Sequence, residues 1–325
     1  MNSYIGHPSQ ILGVEEHRLT GGKGDGMRLL QVRNGLGLEF TVSLDRCADI
    51  SRLSLFSHNI GFFAPCGYVA PSYYDNVGNG FLKSFTGGFL TTCGLTAVGS
   101  ACEDNGEKLP LHGTISNTPC EVHSYTVNEK EIVIDALIRD ASLFSDQLEL
   151  KRKYICSLDE NKLTVLDTVK NIGSRISPYM ILYHFNIGYP MLSEHAELKI
   201  PNKGITPRNE HASKYIDNCL IIEKPQKNFE EQCYYYDVIE ENKKAAAEIY
   251  NKNIGIGLKM MYNKEQLDSF TQWKMMGEHE YVLGLEPGNC TPDGRDILRK
   301  NGQLKFIEPE QEFTNQIEFL FFGKR

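Results

Sequence analysis

The sequence predicts an all-β protein of stacked antiparallel sheets with few short helices. Three observations predict it. Strand-length apolar runs of period two recur along the chain, turn signals join them in pairs, and helix-forming windows are sparse. Successive hairpins without regularly alternating helices suggest stacked antiparallel sheets.

The first pair is Arg28 to Val32 and Leu36 to Leu44, joined at Asn34-Gly35, a strong hairpin signal. Ile132, Ile134, Ala136 and Ile138 alternate along the next run. Leu148 to Cys156 alternates more cleanly: Leu148, Leu150, Tyr154 and Cys156 share one side, interrupted by Arg152, and Glu149, Lys151 and Lys153 take the other. Asp159-Glu160-Asn161 turns the chain into Leu163 to Val169, which completes a half-buried antiparallel pattern. Tyr179 to Tyr189 is apolar on both faces yet carries His184 and Asn186. Ile254 to Leu258, Val282 to Leu285 and Glu318 to Phe322 read as further strands.

Two windows compete with this pattern. Glu240 to Lys252 has good helix propensity, but Asn251-Lys252-Asn253 reads as a turn, and a hairpin is the preferred reading. Asp268 to Met276 is read as a short helix capped by Asp268 or Ser269. Gly78 to Gly99 is read as a long glycine-rich loop. There is no Pro/Ser-rich linker and no clean repeat, so residues 1–325 are expected to form a single domain. All-β sandwiches can reach this length as one unit.

Composition removes several function classes. A formal net charge of −8 argues against nucleic acid as the main partner, because phosphate-backbone binding needs a basic stripe. The most basic short run, Lys151-Arg152-Lys153, is read as a solvated strand face. No apolar run reaches the roughly 18 residues of a membrane-spanning helix, and Met1 to Gly6 lacks the features of a secretory signal. Nine widely spaced cysteines, odd in number and without a Cys-x-x-Cys pair, are expected to be free thiols in a reducing cytoplasm. There is no phosphate-binding Gly-x-x-x-x-Gly-Lys-Ser/Thr loop, no Gly-x-Ser-x-Gly elbow and no His-Glu-x-x-His motif. Gly21 to Gly26 misses the dinucleotide spacing and is read as a turn-rich loop.

Three segments carry chemistry. They are Leu109-Pro110-Leu111-His112-Gly113-Thr114, Tyr183-His184-Phe185-Asn186-Ile187-Gly188 and Gly284-Leu285-Glu286-Pro287-Gly288-Asn289. Taken singly, a histidine in an apolar strand is more often a hydrogen-bonded core residue, and a glutamate at a strand end is usually solvated.

Their order, Leu-His-Gly, then His-Phe-Asn on a long strand, then a glutamate near the C-terminus, resembles the aldose 1-epimerases. More closely, the chain resembles a bacterial aldose 1-epimerase-like branch of that superfamily of otherwise unknown function. Asp45-Arg46-Cys47-Ala48-Asp49-Ile50, Phe85-Thr86-Gly87-Gly88, Thr92-Cys93-Gly94-Leu95 and Leu285-Glu286-Pro287-Gly288-Asn289 fit that branch, over roughly residues 10 to 320. The resemblance implies a galactose-mutarotase-like β-supersandwich with a sugar cleft. It implies His184 as general acid, Glu286 as general base, and His112 and Arg46 as sugar contacts, with Asn186 also assigned to substrate binding. Two departures leave the sugar open. Arg46 does not lie in an Asn-Arg-Ile string, and Tyr183 precedes His184 where mutarotases carry Asn-His-Thr/Ser-Tyr-Phe-Asn.

The implied reaction needs no metal and no organic cofactor. Opening a cyclic hemiacetal requires a base for the anomeric hydroxyl and an acid for the ring oxygen, and each positioned transfer is worth roughly 10²–10⁴-fold. Trp273, the only tryptophan, is a candidate to stack on a sugar face, against a core-packing alternative. A phosphorylated sugar would need cations at the cleft, for which Lys83, Arg152, Lys274 and Arg295 are the candidates. A small carbohydrate is the expected partner, and homodimer formation is left open. A non-catalytic sugar-binding protein and a metal-dependent isomerase or lyase, using two histidines and a glutamate as ligands, are the alternative functions.

Overall fold

A computed structural model describes residues 3–324. Two large antiparallel sheets dominate the fold. The nine-stranded sheet runs Val122–Val127, Glu131–Ala141, Gln147–Ser157, Lys162–Asn171, Glu312–Gly323, Ile256–Asn263, Lys244–Asn251 and Ala196–Lys199, with Glu240–Glu241 paired to Lys244–Asn251. The six-stranded sheet runs Asn202–Pro207, Gln232–Val238, Ser269–Gly277, Glu280–Gly288, Met180–Ile187 and Leu90–Leu95. Five strands between Gly13 and Asn59 form a third sheet that contributes Leu30, Phe40 and Leu53 to the same core. This is the mutarotase-like β-sandwich. Among the described residues only Glu210–Lys214 and Arg295–Lys300 are α-helical, and no helix is long and apolar enough to cross a membrane.

Alternation decides which way each strand faces. Ile181, Tyr183, Phe185 and Ile187 enter the core between the sheets, where Phe185 meets Phe319 of the nine-stranded sheet at 4.7 Å between ring centres. Leu283 and Leu285, Phe270 and Met276, and Tyr234 and Tyr236 enter it from neighbouring strands. Replacing such an aromatic with alanine typically costs about 3–5 kcal/mol. The residues in between therefore face away from the core, and they include His184, Asn186, Glu286 and Trp273.

The first hairpin forms as expected. Asn34 Oδ1 accepts from the Leu36 and Leu38 amides at 2.9 and 3.1 Å, and Gly35 takes the left-handed conformation the turn needs, with φ 78°. The Glu240 to Lys252 window is also a hairpin arm, with Lys244–Asn251 paired to Ile256–Asn263. All nine cysteines are free.

Three expectations need correction. Asp268 to Met276 is not a helix: Ser269–Gly277 is a strand held on both sides, by Gln232–Val238 and Glu280–Gly288. Tertiary pairing overrides the local capping signal there. Gly78 to Gly99 is only partly loop, because Gly80–Lys83 is a 3-10 turn and Leu90–Leu95 is a fully buried strand. Lys151 and Lys153 sit on the outer side as read, but Arg152 between them is buried. Its guanidinium lies between Asp49 (2.5 Å) and Asp167 (2.6 Å) and also donates to Thr92 Oγ1.

Candidate active site

The outward face of the six-stranded sheet opens into a cavity of about 450 Å³, within the size range of small-molecule sites. His112, His184, Glu286 and Trp273 line it together, with Phe81, Phe85, Arg208 and Glu231. Sheet register brings the pair together. Phe185 pairs with Leu285, so His184 and Glu286, one step on from each, stand across from one another on the same face. His184 Nε2 lies 3.2 Å from Glu286 Oε1, and both side chains are almost fully buried.

That burial sets their protonation. Enclosure pushes the Glu286 carboxyl well above the ordinary carboxylate range, partly offset by the positive charge of Arg208. Enclosure, with a smaller contribution from the neighbouring His112, pulls His184 down to about 3. Rings wrap His184 at centroid distances of 5.4 Å for Phe85, 5.8 Å for His112 and 5.3 Å for Trp273, which accounts for the desolvation. Both directions favour the uncharged forms, a protonated carboxyl beside a neutral imidazole.

His112 sits in a tight turn with φ 61°, followed by Gly113 at 73°. A Cβ on Gly113 would come 2.3 Å from the Gly94 carbonyl oxygen, so the turn needs glycine there. The Gly99 amide donates to His112 Nδ1 at 3.4 Å, which leaves the proton of the neutral ring on Nε2. Burial lowers the His112 pKa to about 4, and the nearby Arg208 lowers it too. Trp273 is half-buried on the cavity wall, and its Nε1 donates to Glu231 Oε2 at 2.6 Å.

Two residues assigned to sugar contact do not line the cavity. Arg46 is buried elsewhere, its Nε donating to the Ser116 carbonyl (2.6 Å) and Nη1 to the Val69 carbonyl (2.9 Å), so its guanidinium is committed to main chain. Asn186 is fully buried behind His184, and its Nδ2 donates to the carbonyls of Gly87 and His184. Its Oδ1 and His184 Nδ1 both lack a hydrogen-bond partner, and Asn186 counteracts the fall in His184 basicity. Asn186 therefore sits next to His184 on the same strand face, with its amide nitrogen committed to main chain.

The proposed phosphate-binding cations are committed elsewhere as well. Lys83 pairs with Asp75, Lys274 with Glu223, Arg295 with Asp104, and Arg152 with its two aspartates. None of the four lines the cavity. Sequence reading missed Arg208 and Glu231, which flank the strands Asn202–Pro207 and Gln232–Val238 and carry no motif. Among the described residues no group of three His, Cys, Asp or Glu side chains is placed to hold a metal ion.

The profile of the family described as a domain of unknown function, DUF4432, matches residues 24–320. The chain belongs to DUF4432. No curated protein matches the sequence. Solved structures do resemble this DUF4432 chain. A protein of Klebsiella pneumoniae, provisionally assigned as an aldose 1-epimerase, superimposes with a TM-score of 0.90 at 25% identity, over 96% of this chain and 83% of that one. A galactose mutarotase-like protein of Clostridium acetobutylicum gives a TM-score of 0.71 at 13% identity, over 97% of this chain and 100% of that one. Galactose 1-epimerase from Lactobacillus acidophilus gives 0.64 at 14% identity, over 97% of this chain and 100% of that one. At these lower identities the likeness is one of fold.

Proposed function

We propose that this DUF4432 chain is an aldose 1-epimerase that interconverts the anomers of a sugar or sugar derivative in the cavity lined by His184 and Glu286. The observation that carries the reading is the buried His184–Glu286 pair, with Nε2 and Oε1 3.2 Å apart on the wall of a cavity of about 450 Å³. Ring opening moves one proton off the anomeric hydroxyl and one onto the ring oxygen while the C1–O5 bond breaks. Rotation of the aldehyde and the reverse transfers close the ring on its other face. A donor and an acceptor placed side by side serve both directions.

The roles follow from where the proton rests. With Glu286 ionised and His184 protonated, Glu286 is the base and His184 the acid. Burial favours the other tautomer, so polar sugar oxygens entering the cavity must stabilise the charged form or the two residues exchange roles. His112 supplies an Nε2–H donor to a sugar oxygen, and Trp273 and Phe85 supply apolar wall for a sugar face.

Anomer exchange measured by NMR over a panel of free and phosphorylated aldoses tests the reading. Acceleration by wild-type protein, lost in Glu286→Gln and in His184→Gln, is expected. Exchange that stays at the buffer rate for every sugar sinks it, and sugar binding without exchange would instead describe a carbohydrate sensor.

A further inference from the structure

We propose that Arg208 is a positioning residue of this cavity, whose clamped guanidinium holds the negative charge of Glu286 when that carboxyl gives up its proton. The inference rests on the reading of His184 and Glu286 as the proton-transfer pair.

Arg208 is placed with care for a residue outside a strand. Its amide donates to the Cys233 carbonyl at 3.0 Å, which ties its main chain to the strand Gln232–Val238. Its Nη2 donates to Ser100 Oγ at 2.8 Å and to the Pro292 carbonyl at 3.2 Å. Its Nε lies 3.7 Å from Asp293 Oδ1, and Asp293 is itself fixed by the hydroxyls of Tyr235 and Thr291. Among the described residues that line the cavity, Arg208 is the one arginine or lysine. A cation already ordered in a partly enclosed site stabilises charge that develops beside it without reorganising.

The groups around Glu286 show why a fixed cation matters. His184 is in contact at 3.2 Å and His112 stands beside it; both are neutral by burial. Glu231 adds negative charge, and the thiols of Cys93 and Cys233 are held protonated by burial. Among the described residues that line the cavity, Arg208 is the cation whose charge favours the carboxylate. Asp293 and Tyr235 face Arg208, and Asp293 anchors the guanidinium.

The test reads Glu286 directly, in protein without sugar. The carboxylic acid C=O infrared band of Glu286, assigned by subtraction of Glu286→Gln, is followed between about pH 5 and 9. Arg208→Gln is expected to move the loss of this band to higher pH, and Arg208→Lys, which keeps the charge without the fork, to fall between it and wild type. Exchange at neutral pH is expected to drop roughly tenfold or more in Arg208→Gln. An unmoved band in folded Arg208→Gln overturns the proposal. If that variant does not fold, an unmoved band in Ser100→Ala, which loosens the clamp, overturns it. So does a wild-type Glu286 that stays protonated throughout. Because the band needs no substrate, inactivity on every sugar would defeat the epimerase reading and leave this result standing.

Discussion

A Cβ on Gly284 would lie 2.3 Å from Glu286 Oε1, 3.1 Å from Trp273 Cβ and 3.2 Å from His184 Cε1. The absent side chain at Gly284 is what lets the carboxylate, the imidazole and the indole close on one another. Gly284→Ala is therefore expected to displace the Glu286 carboxyl from His184. Anomer exchange should fall by roughly 10²-fold, since a misplacement of about 1 Å is enough for that loss. Because the clash is with a side-chain end, thermal unfolding should shift much less. Full activity in Gly284→Ala would show that the 3.2 Å contact is not required.

Much of this site could be read from residue parity. Tyr183 and Phe185 go inward, so His184 and Asn186 go outward, and the same logic places Glu286 beside Leu285. Which strands lie next to each other could not be read, because register between strands distant in sequence depends on packing of the whole sheet. That is why Arg208 and Glu231, at strand ends without a motif, went unseen; Arg46 was assigned by the resemblance alone, and its guanidinium is spent on the Ser116 and Val69 carbonyls instead. Local chemistry also misled at Asp268 to Met276, where a good helix cap sits on a strand paired at both edges. The basic triplet was misread as well: Lys151-Arg152-Lys153 was taken as a solvated face, whereas Arg152 falls on the apolar side of its alternating strand and is buried against Asp49 and Asp167.

Arg152 also gives a stability prediction. It compensates two buried carboxylates, Asp49 and Asp167, from different sheets of the protein. Arg152→Met leaves both without a cation, and breaking a buried pair in this way costs about 3–5 kcal/mol. Urea denaturation should show that loss as a lower midpoint. Adding Asp49→Asn and Asp167→Asn to the same chain should recover part of it, because the uncompensated charge is then gone. Failure of the triple variant to recover would place the loss in packing.

Trp273 separates binding from folding. Its indole N–H fixes Glu231 at 2.6 Å while its ring forms cavity wall, half-buried. Trp273→Phe keeps an aromatic wall and removes the hydrogen bond, worth about 1.5–3 kcal/mol when the acceptor is charged. If Glu231 receives a sugar hydroxyl in this cavity, KM for the accepted sugar should rise by roughly tenfold with kcat less affected. Equal losses in kcat and kcat/KM would instead place Trp273 in the support of His184.

The buried titratable groups also make stability depend on pH from both sides. His112 and His184 are held neutral in the fold, at about 4 and about 3, whereas unfolded histidines take up protons near 6.5. The unfolded chain therefore binds more protons as pH falls below about 6.5, and stability falls with it down to about pH 4. For His112 alone the loss is on the order of 3 kcal/mol, at about 1.4 kcal/mol per pH unit. Glu286 acts in the opposite sense. Its folded carboxyl stays protonated above the pH at which an unfolded glutamate ionises, so the fold binds the extra proton and stability falls as pH rises through that window. Thermal melts of wild type, His112→Gln and Glu286→Gln across this range should separate the two. His112→Gln should flatten the acid side, and Glu286→Gln should melt progressively higher than wild type toward alkaline pH. Parallel curves for all three proteins would mean that neither group is held away from its ordinary protonation by the fold.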